Sequence, residues 1–359
     1  MAERVTMKTI AERMGVSVNT VHKALTGKPG VSDQMRERIV RCAEKLGYRR
    51  NANASNLRRQ DLVVAVLLPS LEGEGHYYFR YLWEGIERYR KEAENAIVLD
   101  CRPYPTGAYA QALERLAEEM SQGSKVDGMV AYAPSDARSL ELLSGLGREG
   151  VPTELLDGDT DLPNNVGCMV ADYVSAGQLM AEQALNMLPP EPQSILLLSG
   201  DRQTSSHAMV REAFLSTMAE HAPVHQIREI FGAHSEVDAL RKETKTALLS
   251  GLQPALACSV FAVGTEVLCQ ALGESGLAGK VPAIGNDLFP ESVEALETGV
   301  LRNFVFKDPA GRAYKAIETL CSYLLWGQRP PERTAVGDVD MVFRSNLAQY
   351  CRHVGISRS

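Results

Sequence analysis

The chain lacks any stretch of 18 consecutive apolar residues, so no segment is predicted to cross a bilayer as a helix. Its first 25 residues lack the charged head and apolar block of a secretory signal, and the expected location is the cytoplasm. Seven cysteines (42, 101, 168, 258, 269, 321 and 351) form an odd, scattered set with no C-x-x-C, which argues against a disulfide framework or a zinc site and fits a reducing compartment. Catalytic signatures are missing as well. Gly73-Glu74-Gly75 follows an apolar run, but Tyr78 stands where a dinucleotide loop needs its third glycine. Gly279-Lys280 lacks both the earlier glycine and the following Ser/Thr of a phosphate-binding loop. There is no G-x-S-x-G, and Pro223 breaks the helix that would align His221 with His225 on a metal. No catalytic residue, metal site or cofactor is predicted, and an enzyme reading would rest on fold analogy alone.

What is present is ample apolar residue in 359 positions, 45% hydrophobic against 23% charged, enough for two or three folded domains and too apolar for disorder. The net charge of −7 hides an asymmetry. Residues 1–60 carry 13 Lys/Arg against 5 Asp/Glu, and residues 61–359 carry 25 against 40. A basic head on an acidic body suggests that one module meets a polyanion and the other does not.

The first 50 residues predict three short helices. Thr6 can cap a helix over 7–14, which Gly15 ends; Ser17 can cap a second over 18–25; Ser32 can cap a third over roughly 33–46. A helix, a tight Gly-containing turn and a second capped helix follow the helix-turn-helix plan. Ile10, Ala11, Met14, Val16, Val21, Ala24 and Leu25 can form one small core, with Ile39, Val40, Ala43 and Leu46 packing from the third helix. Val18, Asn19, His22 and Lys23 are then free on the outer face of the second helix. Asn pairs with an adenine edge, Lys donates to guanine, and Val packs on a thymine methyl. Ser17 and Thr20, at the helix start, are placed to bond phosphates. The competing reading is a three-helix domain whose outer face is merely solvated.

This stretch resembles the head of the LacI/GalR family of bacterial transcription factors. The resemblance is carried by Thr6, Ile10-Ala11, Gly15-Val16-Ser17, Thr20-Val21, Leu25, Gly27, Val31-Ser32, Arg36, Ala43, Leu46-Gly47-Tyr48, Asn51-Ala52 and Leu57, and it continues more weakly to the C-terminus. Residues 51–57, with three Asn, are too short and too poor in helix formers to fold alone. The resemblance implies that they become a hinge helix on DNA, with Leu57 as an apolar wedge in the minor groove; a flexible linker with Leu57 docked on the body is the alternative. Asn53 and Asn56 depart from the family's usual apolar residue and Ser.

Beyond residue 61, apolar runs alternate with helix-length amphipathic stretches. Strands are predicted at 62–69, 96–101, 127–133, 152–156, 194–199, 225–231, 254–260, 281–285 and 300–306, with helices between them and over 310–326, a pattern of parallel sheets covered on both faces and too many units for one sheet. The resemblance implies an α/β two-lobed, periplasmic-binding-protein-like core with three crossovers. The expected organisation is an all-α helix-turn-helix DNA-binding head at 1–50, a hinge at 51–60 and an effector-binding and dimerisation domain at 61–359. Lobe 1 would span about 61–171 and 306–329, and lobe 2 about 172–305 and 330–359.

Ligands of such sheets sit at the carboxyl ends of strands. By resemblance, Tyr78 and Phe79 hold the places of two aromatic rings that stack on a sugar, unless one packs inside the helix start. His207 lies at a helix start beside Ser205 and Ser206, where N–H groups face a ligand. Arg211 sits one residue out of the family's register. Cys258-Ser259 stand where relatives have Asn-Asp. Asp287, in GNDLFPE, would accept sugar hydroxyls or instead cap the helix at Pro290. Asp157 is either a sugar contact or a turn residue. Lys307 replaces a neutral amide and, facing the cleft, would favour an acidic or phosphorylated sugar. The resulting expectation is a repressor of double-stranded operator DNA, a homodimer or tetramer, controlled by a carbohydrate. A purine-like effector, or a sugar-sensing module with weak nucleic-acid anchoring, is the alternative.

Overall fold

The computed structural model describes residues 7–25, 30–46, 62–71, 77–92, 97–105, 107–232, 236–250 and 253–356. Thr6, the hinge 51–60 and its Leu57 lie outside these residues, as do the side chains of Val18, Asn19 and His22.

The head has three helices, α1 (Met7–Met14), α2 (Val18–Leu25) and α3 (Asp33–Lys45). Between α1 and α2 the chain turns at Gly15, whose φ of 66° suits a residue without Cβ. Ser17 caps α2, its Oγ accepting from the Thr20 amide at 3.0 Å, and Ser32 receives the Met35 amide at 3.4 Å ahead of α3. Ile10, Ala11, Val21, Ala24, Ile39 and Ala43 are buried together, with Met14, Val16, Leu25 and Leu46 packed around them. Val40 departs from expectation: it stays only half-buried, and Cys42 joins the cluster instead.

The body holds two six-stranded sheets. In the first, β1 (Leu62–Pro69), β2 (Ile97–Tyr104), β3 (Gly128–Tyr132), β4 (Thr153–Leu156) and β5 (Asn165–Ala171) alternate with α4 (Phe79–Glu92), α5 (Tyr109–Ser121) and α6 (Ala137–Arg148). The second lobe opens with α7 (Tyr173–Met187) and contains β6 (Ser194–Gly200), α8 (Ser205–His221), β7 (Gln226–Phe231), α9 (Val237–Leu249), β8 (Leu256–Ser259), α10 (Ala262–Glu274), β9 (Ala283–Asn286), α11 (Pro290–Thr298) and β10 (Asn303–Phe306). Then come α12 (Pro309–Trp326), β11 (Thr334–Gly337), β12 (Asp340–Val342) and α13 (Leu347–His353). The strand orders are β11-β5-β4-β3-β1-β2 and β12-β10-β9-β8-β6-β7. All pairings are parallel except β10 with β12, so the second sheet carries an antiparallel edge where purely parallel sheets were expected.

Strand β1 shows why the first sheet needs cover on both faces. Ala65 and Leu67 pack with α5 and α6, while Val64, Val66 and Leu68 pack with α4 and α12. The second lobe has one continuous core, including Leu196, Leu197 and Leu198 of β6, Phe214 of α8 and Phe304 of β10.

Three crossovers join the sheets: from β5 into α7 at Asp172, from β10 into α12 at residues 307–308, and from β11 to β12 at residues 338–339. The third lies later than the position near 330 that the sequence led us to expect. β11 is a four-residue strand, partly exposed, that completes the first sheet, and its brevity hides it in the hydropathy pattern.

Candidate functional site

In the head, the Ser17 hydroxyl faces Thr20 Oγ1 at 2.8 Å, so both side chains are engaged at the start of α2. Lys23 is partly exposed on the same helix. Arg36 of α3 donates to the carbonyls of Lys23 and Ala24, each at 3.0 Å, and so fastens the last turn of α2. That bond satisfies helix-end carbonyls and places a cation at the negative end of the helix.

In the body, two carboxylates follow strand ends in left-handed backbone, Asp157 (φ 63°) after β4 and Asp287 (φ 69°) after β9. Each is ion-paired with a buried cation. Asp287 meets Lys307 at 2.8 Å, and both residues are over 90% buried; Lys307 also donates to the Asn286 side chain. Asp157 pairs with Arg312, whose side chain is 2% exposed. Around Asp157 the network is dense. Tyr78 donates to it, Tyr173 donates at 3.2 Å, and Arg312 donates to the Tyr78 hydroxyl. Burial pushes the Tyr78 phenol well above its ordinary value, so it stays a donor. Burial disfavours the Arg312 charge, but Asp157, Tyr78 and Tyr173 together outweigh it and hold the guanidinium protonated.

Asp157, in left-handed backbone just past β4, is both a turn residue and part of this network, whereas Asp287 does not take its competing role as a helix cap. The N-cap of α11 is Phe289, whose amide donates to the hydroxyl of Ser292 in the first turn at 3.0 Å, so Asp287 is left to Lys307. Phe79 packs edge-on against Tyr78 and Tyr132 within the first lobe, the inward alternative considered for this pair. His207 is buried at the start of α8, with Nδ1 accepting from the Asp201 amide at 3.1 Å, which leaves Nε2 as the N–H, and with its ring against Phe261. Arg211 is held by Glu229 of β7, which Ser199 also bonds at 2.7 Å. Arg202 stacks on Phe231, 3.4 Å from the ring centroid. Cys258 and Ser259 are fully buried, and Ser259 donates to the Phe261 carbonyl, so neither replaces the polar pair of relatives.

The structure therefore brings Tyr78 and Asp157 together, and Asp287 and Lys307 together. Sequence reasoning missed Arg312, Tyr173, Tyr77 and Glu266. Tyr77 crosses between lobes, donating to Glu266 of α10 and setting its ring edge-on to Phe289 at 5.2 Å. Arg312 had a signal: it lies on the face of α12 that buries Ala313, Ala316 and Leu320, where a charge requires a partner. A groove of about 810 Å3 runs beside the crossovers, lined by Phe306, Asp308, Arg312, Lys315, Tyr350 and His353 among others, and none of the expected effector residues lines it.

One buried acid lies apart from these pairs. Glu154 of β4 is 1% exposed, burial raises its carboxyl to about 8, and its Oε2 has no hydrogen-bond partner among the described residues.

Comparison with known proteins gives the same two-part plan. The family described as periplasmic binding protein domain matches residues 65–329, and bacterial regulatory proteins, lacI family, match residues 6–51. The chain is similar to the probable HTH-type transcriptional repressor ExuR of Bacillus subtilis, 22% identical over 71% of this chain and 73% of that one. It is also similar to the ribitol operon repressor of Klebsiella aerogenes, 27% identical over 71% and 91%. Among solved structures, a periplasmic solute binding protein of Actinobacillus succinogenes with bound D-allose superposes with a TM-score of 0.69 at 19% identity, covering 81% of this chain and 100% of that one. With the body matched over most of its length and the head matched at its helix-turn-helix, the chain belongs to the LacI-type bacterial regulators that join a DNA-binding head to a periplasmic-binding-protein domain.

Proposed function

We propose that the protein is a cytoplasmic, sequence-specific repressor that acts as a homodimer on a near-palindromic operator and is controlled by a small neutral carbohydrate bound between the lobes. The observation that carries the reading is the joining of a capped helix-turn-helix to two lobes whose strand ends hold Tyr78, Asp157 and Asp287. In a dimer, two α2 helices enter successive major grooves, and Asn19, Val18, His22 and Lys23 meet base edges while Ser17, Thr20 and Thr6 lie near phosphates. The two 51–57 segments meet over the central minor groove, with Leu57 as the wedge. Effector and operator affinities are then coupled reciprocally, by about 1–3 kcal/mol.

The charge balance supports a neutral ligand. Lys307 and Arg312 are matched by Asp287 and Asp157, so this quartet carries no net charge. An acid sugar would bring an unmatched charge among these buried, already paired groups, which is costly. Lys307 therefore serves Asp287 rather than an anionic effector.

The test is selection of duplexes from a random pool by the full chain, with a thermal-shift panel of neutral sugars, sugar acids and purines on the same protein. An inverted-repeat consensus and a shift with neutral sugars are expected. Binding without sequence preference would overturn the regulator reading. A response to acids or purines alone would overturn the ligand class.

A further inference from the structure

Two crossovers touch one side chain directly, and the first reaches it through a shared carboxylate. Arg312 lies in the first turn of α12, just past the second crossover, and its Nε donates back to the Lys307 carbonyl at 3.0 Å. Its guanidinium binds Asp157, which Tyr173 also bonds, and Tyr173 stands two residues beyond β5 on the first crossover. Its aliphatic stem lies against Gly337, where the third crossover begins: a Cβ built there would sit 2.8 Å from Arg312 Cδ and 2.9 Å from Cγ. Gly337 is therefore needed for close approach, not for a left-handed turn. Tyr78, at the entry to α4, completes the set by accepting from the same guanidinium.

We propose that Arg312 is the pin of the interlobe hinge: a positioning residue that holds all three crossovers in one register and aims Asp157 and Tyr78 at the space between the lobes. The proposal rests on the two-lobed sensor reading for its purpose but not for its geometry. A planar fork with fixed N–H directions suits this task. It binds a carboxylate, a phenol and a carbonyl at once, whereas a lysine is a single point charge. Packed, buried groups of this kind have discrete arrangements rather than a continuum, so a pin held at three points favours defined lobe angles over a sliding range.

The consequence is that the crossovers should loosen together. We would measure amide hydrogen exchange on the full chain for Arg312→Gln, Arg312→Lys and Gly337→Ala. Arg312→Gln should speed exchange in residues 171–174, 307–311 and 337–340 by about tenfold or more, with strands β3 and β8 unchanged, because local opening has its own free energy. Arg312→Lys, which keeps a charge opposite Asp157, should retain the melting temperature better than Arg312→Gln but leave the three segments unprotected. Gly337→Ala should give the same three-segment signature more weakly, from the opposite side of the contact. If Arg312→Gln does not fold, the other two variants decide. The proposal fails if faster exchange is confined to the loop after β4, spreads evenly through the first lobe, or is fully reversed by lysine. None of these readouts uses DNA or sugar, so an absent operator preference in the wild-type protein would sink the regulator reading while leaving the hinge assignment standing.

Discussion

Among the described residues, the head is held by six buried apolar residues from three helices, and Ser17, Thr20 and Lys23, expected to meet a partner, stand outside that cluster. In the body, the groups expected to meet a partner are themselves buried and already paired, Asp157 with Arg312 and Asp287 with Lys307. Recognition and stability are thus separable in the head and entangled in the body. A substitution on the outer face of α2 should alter DNA binding with little effect on folding. A substitution at Asp157 or Asp287 strands a charge and, on the proposed reading, removes a ligand contact at the same time.

The largest expected effect breaks the entangled side. Asp157→Ala leaves Arg312 buried without its counter-ion and should cost about 3–5 kcal/mol in denaturant unfolding of the body. A loss well under 1 kcal/mol would show that Asp157 is dispensable to the fold and that the two regions do not differ as described. Next, Ile39→Ala should cost the head about 2–4 kcal/mol. So small a core has little to spare, so DNA binding should vanish while the calorimetric transition of the body keeps its temperature; a shift in both transitions would contradict separability.

Glu154→Gln sharpens the comparison within the body, because this acid is buried with no cation paired to it among the described residues. Its carboxyl titrates near 8 in the folded chain against an ordinary value of 4.5, so folding takes up a proton between those pH values. Stability should therefore fall as pH rises from about 4.5 to 8 and then level off. The glutamine variant should abolish that slope and gain on the order of 1–3 kcal/mol at pH 8, with no gain at pH 4. Identical pH profiles of melting temperature in the two proteins would refute it. The smallest effect is in the head: Arg36→Met should cost about 1 kcal/mol by releasing the Lys23 and Ala24 carbonyls, read as fraying of α2 by amide exchange.

Much of the fold was legible because it depends on patterns of apolar residues. The head core was named almost residue by residue, since Ile10, Val21 and Ile39 recur at helical spacing around two serine caps. The long strands β1 and β6 were plain as runs of valine and leucine. The strands β5, β11 and β12 were missed. Asn165–Ala171 is broken by Gly167, and β11 and β12 have four and three residues, too few to carry a period. At the site, the acids were found because each follows a strand, a local fact. Their pairings, and Arg312 itself, were not, because ion pairing between positions 155 residues apart leaves no trace in a spacing rule: Arg312 meets Asp157 only after α12 has folded back onto the first lobe. The acidic-sugar expectation for Lys307 was drawn without sight of its partner for the same reason: Asp287, twenty residues upstream, pairs with it.

The packing of α12 on the first lobe has a further consequence, for synthesis. Gly85 of α4 lies so close to the Ala310 carbonyl that an added Cβ would be 2.1 Å away, and Val64, Val66 and Leu68 are covered by residues from Ala313 to Cys321. The ribosome makes that cover only after strands β6 to β10 of the second lobe. At about 5–20 residues per second, the nascent first sheet waits roughly ten seconds to half a minute with one apolar face covered only by α4. Newly made chains should therefore depend on chaperones during that interval far more than the finished protein does.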